Sequence, residues 1–469
     1  MMLPFNLEPL SDSRYFISNL AGFHRVVARE TLELLAEQGD GVLDAGIKQD
    51  LARGLFLADS SAGEEAGVAA LASGYARRLT RDLAFRPTFM IVPTLRCDHT
   101  CRYCQVSRAA LGAAHSDYDL DARRIPQVID LIARLGTAPY KLEIQGGEPL
   151  VRFDLVQAIY DEAEARLGAT DFEVVITTSL SLLDDTILDW ARGRRVVFST
   201  SVDGTEVVHN RNRILPGDNA YQRVKRGIRA IQRQLGPDRV AAVTTVTKDL
   251  LAHPEALIEA SQELGLTELF VRPVSPYGFA QKSGTGTYSF DDYMAFYDRL
   301  LSLIIAHEAA GGQLLSEYSG KIHLQRVFQP DFNGYADLKS PSGFLLDCVL
   351  INYDGKVFGS DEARMLQRVN PELDLSCGTV DHFDPAANPV YHKILKESLN
   401  AVHPGCEQCA YQPFCGTDPC QGISEQGEPV GDKSRSAFCQ YHKRMFSYLI
   451  DRYYRDPEAR SVMESWCHA

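Results

Sequence analysis

No run in the 469-residue sequence approaches the about 18 consecutive apolar residues of a membrane span. The start, MMLPFNLEPLSDSRYF, does not place a basic segment before an apolar one, so no secretory signal is read there. Eleven cysteines without such a signal do not suggest a disulfide framework. Metal or redox chemistry explains them better. Basic charge is also short: 48 Lys and Arg face 62 Asp and Glu, a net charge of −14, which argues against the basic stripe of a general nucleic-acid surface. No internal repeat and no low-complexity tract is found. What is left, 45% hydrophobic and 23% charged, is the composition of an ordinary globular chain. It is long enough for two or three domains of ~100–200 residues. The expectation is a cytoplasmic metalloprotein with neither a nucleic acid nor a membrane as partner.

What the chain does have is a cysteine triplet, Arg96-Cys97-Asp98-His99-Thr100-Cys101-Arg102-Tyr103-Cys104-Gln105, spaced C-x3-C-x2-C directly after the strand-like TFMIVPT at 88–94. Three such thiolates can hold three irons of a [4Fe–4S] cluster, which four cysteines normally complete. The next cysteine is Cys348, so the fourth iron has no local ligand and is open to a small molecule. Zinc is the alternative, because C-x2-C suits tetrahedral Zn²⁺ and His99 lies within the loop. With Tyr103 before the third cysteine, the pattern resembles the radical S-adenosylmethionine (SAM) superfamily.

Residues 15–20 and 23–27 look like two short strands, 29–38 and about 44–53 like helices, and 55–58 (LFLA) like a further strand. That content suits a small N-terminal α+β domain over 1–84, of winged-helix type. In peptide-modifying radical SAM enzymes such a unit binds the substrate's leader peptide as an added strand; the alternative is a simple cap on the barrel. Strand-like runs near 88–94, 140–145, 172–178, 195–202, 239–247 and 268–274 alternate with helical segments such as 124–135, 153–167, 220–235 and 254–264. This alternation indicates parallel β/α construction. The expected class is therefore α/β: a partial (β/α)6 barrel over 85–310, a linker over 311–345, and a C-terminal extension over 346–469 that holds eight of the eleven cysteines. In β/α barrels the chemistry sits at the C-terminal ends of strands, where the triplet lies.

The second strand runs into Gly146-Gly147-Glu148-Pro149, 42 residues after Cys104. A glycine pair lets the backbone approach a ligand closely, and proline stiffens the turn. The tetrapeptide is similar to the superfamily's GGEP motif, which implies that Glu148 receives the amino group of the SAM methionine moiety; a surface turn is the alternative. The stretch Ser199-Thr200-Ser201-Val202-Asp203-Gly204 followed by His209-Asn210-Arg211-Asn212-Arg213 resembles the S-x-D-G … H-D-x-x-R segment of sulfatase maturases, with Asn210 in place of the usual Asp. By that match Ser201 and Asp203, and also Thr178 and Ser179, hydrogen-bond the ribose or the methionine carboxylate; turn capping is the alternative. Tyr103 is expected against the adenine, and Arg272-Pro273-Val274-Ser275-Pro276-Tyr277-Gly278 in the cavity wall.

Near the C-terminus, Cys406-x2-Cys409-x5-Cys415-x4-Cys420 and then Cys439 form a second cluster of cysteines. Alone it could be a zinc ribbon; beside the triplet it resembles the SPASM extension, which carries one or two auxiliary [4Fe–4S] clusters. The resemblance gives Cys406, Cys409, Cys415 and Cys439 to one cluster. For the other it leaves Cys348, Cys377 and Cys420, because the family's G-x4-C appears here as Gly355 to Ser360, with serine for cysteine. Cys467 is a bystander. The next residue, Asp361, corresponds to an aspartate that deprotonates the substrate in sulfatase maturases, and needs a raised pKa to work near neutral pH. An ion pair with Arg364 at i+3 is the alternative.

As a whole, residues 85–445 resemble radical SAM/SPASM peptide maturases, most of all the His-Xaa-Ser system (HxsB) subgroup. The resemblance implies reductive SAM cleavage to a 5′-deoxyadenosyl radical, which takes a hydrogen atom from a ribosomally made peptide or protein and gives an oxidised or cross-linked residue. It also implies a flavodoxin- or ferredoxin-type electron donor and, in some systems, a partner maturase. A formylglycine-generating sulfatase maturase and a non-catalytic iron–sulfur or zinc scaffold are the other readings.

Overall fold

The computed structural model describes every residue except 276–279, 281–283, 285–287, 333 and 469. The chain divides into two compact units: 85–319 with 344–392, and 1–84 with 320–343 and 393–469.

The first unit is built on a ten-stranded sheet. Its six main strands are Thr88–Thr94, Tyr140–Gly146, Phe172–Thr177, Val196–Ser201, Val240–Val246 and Glu268–Pro273, each parallel to the next. These are the six expected barrel strands. Ser316–Glu317 adds a short parallel strand beside the sixth. On the other side Cys348–Ile351 pairs in parallel with the first strand, and Lys356–Phe358 and Ser376–Thr379 follow antiparallel. Residues 344–392 thus complete the barrel unit rather than starting a separate domain, and the expected linker carries that short strand and the helix Tyr318–Phe328.

Alternation along the strands divides the two faces. In Tyr140–Gly146, Leu142 and Ile144 are buried while Glu143 and Gln145 line an internal cavity. In Phe172–Thr177, Val174 and Ile176 are buried and Thr177 faces the cavity. Val196 and Phe198 are buried in the fourth strand, and Ser199 and Ser201 line the lumen. The helices that cover the aliphatic face carry apolar stripes: Ile125, Val128, Ile129 and Ile132 in Ile125–Leu135, and Tyr221, Val224, Ile228 and Ile231 in Ala220–Gln234, whose start is capped by Asn219.

In the second unit, Asn6–Ser11, Arg14–Ser18 and His24–Ala28 make an antiparallel sheet, followed by helices Arg29–Gln38, Ala45–Arg53 and Ser61–Asp82. The first strand and the 22-residue third helix were not foreseen, and 55–58 forms only a bridge from Leu57 to Met2. This segment and the C-terminal cysteine stretch belong to one unit because they share a core. Phe16 is fully buried against Tyr411 at 5.4 Å and Phe414 at 6.0 Å, and Arg14 pairs with Asp451 at 2.8 Å. No helix among the described residues is long and apolar enough to cross a membrane.

One buried ion cluster fixes the top of the first strand. Asp119 accepts bonds from Thr94 Oγ1 (2.6 Å), Arg96 Nε (2.9 Å) and Nη2 (2.8 Å), and Arg152 Nη1 (2.7 Å). Burial pushes its carboxyl up, but the bonds from Arg96, Thr94 and Arg152 outweigh it and hold the pKa below the ordinary 3.8. Removing one partner of a buried pair leaves the other charge stranded, so Asp119→Ala should cost about 3–5 kcal/mol of stability at neutral pH. A depressed folded pKa gives stability that is present above the unfolded value and lost as pH falls through the folded one. The melting-temperature gap between wild type and variant should therefore close below about pH 4.

Candidate active site

The site is assembled where the first strand meets the turn after the second. The Gly147 N–H donates to Thr94 O (2.9 Å) and the Glu148 N–H to Arg96 O (2.9 Å). Neither glycine has room for a side chain. A Cβ on Gly147 would stand 2.5 Å from the Leu95 carbonyl oxygen, and one on Gly146 would overlap Thr94 O. Gly146 also takes φ +140°, a region that L residues avoid. The close approach is thus to the strand that launches the cysteine loop, where the sequence suggested a ligand.

That loop is pinned at both ends of its middle turn. Thr100 N–H donates to Ile214 O (2.7 Å) and Arg102 N–H to Asn212 O (3.0 Å). Cys97, Cys101 and Cys104 all line one cavity of about 570 Å³, together with Gly146, Gly147 and Glu148. Burial, and then the neighbouring Glu148, push the Cys97 thiol well above its ordinary 9.0; burial pushes Cys101 to about 12. Crowded, desolvated thiols of this kind suit a cationic metal centre, which takes up their protons' charge. His99, the alternative zinc ligand, directs Nδ1 to Asp98 Oδ1 at 2.8 Å. The ligand atoms of Cys97, Asp98 and His99 lie within 4.8 Å of one another.

Glu148 is buried, which excludes a surface turn. Oε1 accepts from Leu150 N (3.0 Å) and Thr178 Oγ1 (2.6 Å); Oε2 accepts from Ser179 N and Oγ (2.8 Å each). Burial raises its pKa against these bonds. Ser179 and Ser201 line the cavity. Pro149 is buried and opens the short 3₁₀ turn Pro149–Arg152 behind Glu148.

Tyr103 and Asp203 are bound to each other. Tyr103 lines the cavity but its hydroxyl donates to Asp203 Oδ2 at 2.5 Å, and the Arg213 guanidinium sits 5.3 Å from its ring centroid. Asp203 has no exposed surface and accepts also from Arg213 Nε (3.3 Å) and Thr245 N (3.2 Å). It braces the cysteine loop from beneath instead of presenting a carboxylate to the cavity. Asn210 binds Asn219 and the Tyr221 N–H, an internal role. Arg213, the arginine of the H-D-x-x-R-like stretch, reaches the cavity and pairs with Asp203, although no site role was assigned to it from the sequence.

Residues 91–261 match the Radical SAM superfamily. This match spans a minority of the chain, and those residues are similar to a radical SAM domain. Native anSMEcpe with bound AdoMet superposes with a TM-score of 0.61 at 15% identity, covering 81% of this chain and 100% of that one. SuiB of Streptococcus suis bound to precursor peptide SuiA gives 0.53 at 12% identity over 94% of this chain and 100% of that one. An uncharacterised protein of Methanocaldococcus jannaschii is 25% identical over 114 residues, which is 24% of this chain and 37% of that protein. A radical SAM domain implies a [4Fe–4S] cluster and SAM, and the three cavity cysteines have the donor chemistry for that cluster.

Beyond the domain's matched residues, the cavity wall continues through Glu268, Phe270, Arg272, Pro273 and Ser275 to Tyr318, Asp361 and Glu362. Of the expected wall segment 272–278, residues 276–278 lie outside the described residues. Asp361 opens the helix Asp361–Val369, and Ser360, at the position expected for a cysteine, caps it by accepting the Ala363 N–H (3.1 Å). The ion pair forms: Arg364 Nε and Nη2 donate to Asp361 Oδ1 at 3.0 and 2.8 Å. Glu143 is the lumen carboxylate that the sequence reading passed over.

In the other unit, Cys406, Cys409, Cys415 and Cys439 line a small cavity of about 30 Å³ with Lys433 and Lys443. Asn400 Nδ2 donates to Gln412 O (3.0 Å) and Cys415 O (2.8 Å), and Asn6 Nδ2 to Glu407 O and Cys409 O. Burial pushes Cys406 to about 11 and Cys409 to about 12, and with the other three thiols pushes Cys415 well above its ordinary value; Lys433 opposes this. Cys348 and Cys377 instead belong to the barrel unit, on strands separated by Lys356–Phe358, with Cys348 Sγ 3.5 Å from Met90 Sδ. Cys420 belongs to the unit of Cys406.

Gly147→Ala tests the contact that joins loop and turn. Backbone carbonyls cannot swing away, so overpacking should cost about 1–3 kcal/mol. The iron taken up by the triplet should fall with it, read by melting curves and by iron analysis after anaerobic reconstitution.

Proposed function

We propose that this protein is a radical SAM peptide maturase, which abstracts a hydrogen atom from a residue of a ribosomally made peptide or protein and leaves it oxidised or cross-linked. The observation that supports this most is the single cavity shared by Cys97, Cys101, Cys104, the 146–148 turn and a polar barrel lumen. Its volume of about 570 Å³ is that of a small-molecule site with room left over. A [4Fe–4S] cluster and SAM bound there would supply hydrogen-atom abstraction.

The chain's own residues do the rest. The three cysteines hold the cluster as thiolates. Gly146 and Gly147 keep the turn against the strand so that Glu148, with Ser179 behind it, offers a fixed negative edge to the SAM ammonium. Ser201 would take a ribose or carboxylate oxygen of SAM, and Tyr103, held by Asp203 and Arg213, would offer its ring to the adenine. The lumen walls would shield bound SAM from bulk water. Cys406, Cys409, Cys415 and Cys439 would hold an auxiliary [4Fe–4S] cluster, whose negative charge Lys433 and Lys443 offset. The edge of the sheet over 6–28 would receive the leader segment of the substrate. A flavodoxin- or ferredoxin-type protein would deliver the electron.

Anaerobic reconstitution with iron and sulfide, followed by SAM and a strong reductant, should give 5′-deoxyadenosine. The Cys97/Cys101/Cys104→Ala variant should give none and should lose about four irons per chain, the content of one cluster. Cys415→Ala should lose a similar number yet keep the triplet's iron. A fully iron-loaded wild type that leaves SAM intact would sink the enzyme reading.

A further inference from the structure

Besides Asp361 and Glu148, the acids Glu143, Glu268 and Glu362 line the lumen. Glu143 lies at the middle of the second barrel strand, where alternation turns it away from buried Leu142 and Ile144 and into the cavity. Its Oε1 accepts from Thr177 Oγ1 at 2.9 Å, across to the third strand. No protein donor to Oε2 is found among the described residues. Asp361, from the helix between the sheet's last two strands, lines the same cavity and acts on Glu143 electrostatically, as does Arg272 of the sixth strand. Arg108, Glu148, Arg213, Glu268 and Glu362 are the other charged side chains lining this lumen, with His99, Tyr103, Tyr318 and the three cysteines as its further titratable groups.

The two carboxylates are not equivalent. Asp361 Oδ1 receives both Arg364 bonds, so its charge is countered and its orientation locked. Glu143 has a hydroxyl on one oxygen and, among the described residues, no cation bonded to it. When environments treat two neighbouring acids this differently, one serves as fixed charge and the other exchanges the proton. Resting on the reading above, we propose that Glu143 is the catalytic base of this cavity and Asp361 a positioning residue: Glu143 Oε2 takes the proton from a substrate O–H, N–H or S–H bond, whose electron pair stays on the heteroatom. Burial first, then the Asp361 charge, raises the Glu143 pKa above its ordinary 4.5, in the direction a base working near neutral pH requires.

The test reads the proton directly on the full chain. The infrared carbonyl stretch of a protonated carboxyl, isolated as wild type minus Glu143→Gln, should titrate above the ordinary carboxylate range. It should move to lower pH in Asp361→Asn, which removes the facing charge, and to higher pH in Thr177→Val, which removes the bond to the anion. A difference band that titrates with ordinary carboxylates, or that ignores Asp361→Asn, overturns the pairing. The second arm uses synthetic peptides with one central Ser, Cys or His. On any that wild type oxidises, Glu143→Gln should lower the rate by about 10²–10⁴-fold, with melting curves as the folding control. Oxidation at the wild-type rate overturns the proposal. If wild type leaves SAM intact, the maturase reading falls and the infrared titration alone still decides where the proton is held.

Discussion

The barrel site depends on two backbone hydrogen bonds, Gly147 N–H to Thr94 O and Glu148 N–H to Arg96 O. They join the segment that launches the cysteine loop to the turn that carries the buried carboxylate. Each side chain at the site is placed relative to this contact. It exists only because positions 146 and 147 lack a Cβ where carbonyl oxygens crowd in. The same two segments are tied a second time by Asp119, which gathers Thr94, Arg96 and Arg152 from before and after the loop. Backbone closeness sets the distance and the ion cluster keeps the loop from rotating about it.

Around this contact, charge is distributed by burial. Glu148 is desolvated but receives four donors, so the anion is already hydrogen-bonded before any ligand arrives. Asp203 is deeper, and its partners Tyr103 and Arg213 connect it to the cysteine loop. At Cys97 burial outweighs the His99 N–H and at Cys101 it outweighs the Arg213 charge, so both thiols' pKa values rise. Desolvated thiols beside hydrogen-bonded carboxylates have a strong bias toward a soft cation. The C-terminal four repeat this pattern with lysines beside them.

Much of this was legible in the sequence because it rests on local pattern. Six strands emerged from apolar runs spaced by amphipathic helices, and Cys97, Cys101, Cys104 and Glu148 from spacing. What escaped has non-local causes. Residues 1–84 looked like a separate domain because nothing in their own sequence shows that Phe16 finds its partner in Tyr411. Likewise residues 344–392 seemed to begin a new domain, yet Cys348–Ile351 completes the sheet by pairing with a strand some 260 positions earlier. Asp203 was assigned to a ligand because its spacing fits, although depth decides whether a carboxylate can reach one. Glu143 is the opposite case. The alternation in Tyr-Lys-Leu-Glu-Ile-Gln-Gly places Glu143 opposite Leu142 and Ile144, but only the closing of the sheet around the cavity shows that its face is the lumen.

The lumen's capacity follows from side-chain size on each strand. The third, fourth and fifth strands turn Thr177, Ser199, Ser201, Ala241, Val243 and Thr245 inward, all short. The second and sixth contribute Glu143, Gln145, Glu268 and Arg272, all long. In a filled β/α barrel, bulky branched residues from every strand would close this space. Here short residues leave the volume and long polar ones reach into it from opposite sides. Acids and guanidinium groups thus face one another across a recess walled by the barrel, where reduced polarity strengthens each charge's effect on the next. The arrangement is unsuited to stability, since it forgoes a packed centre.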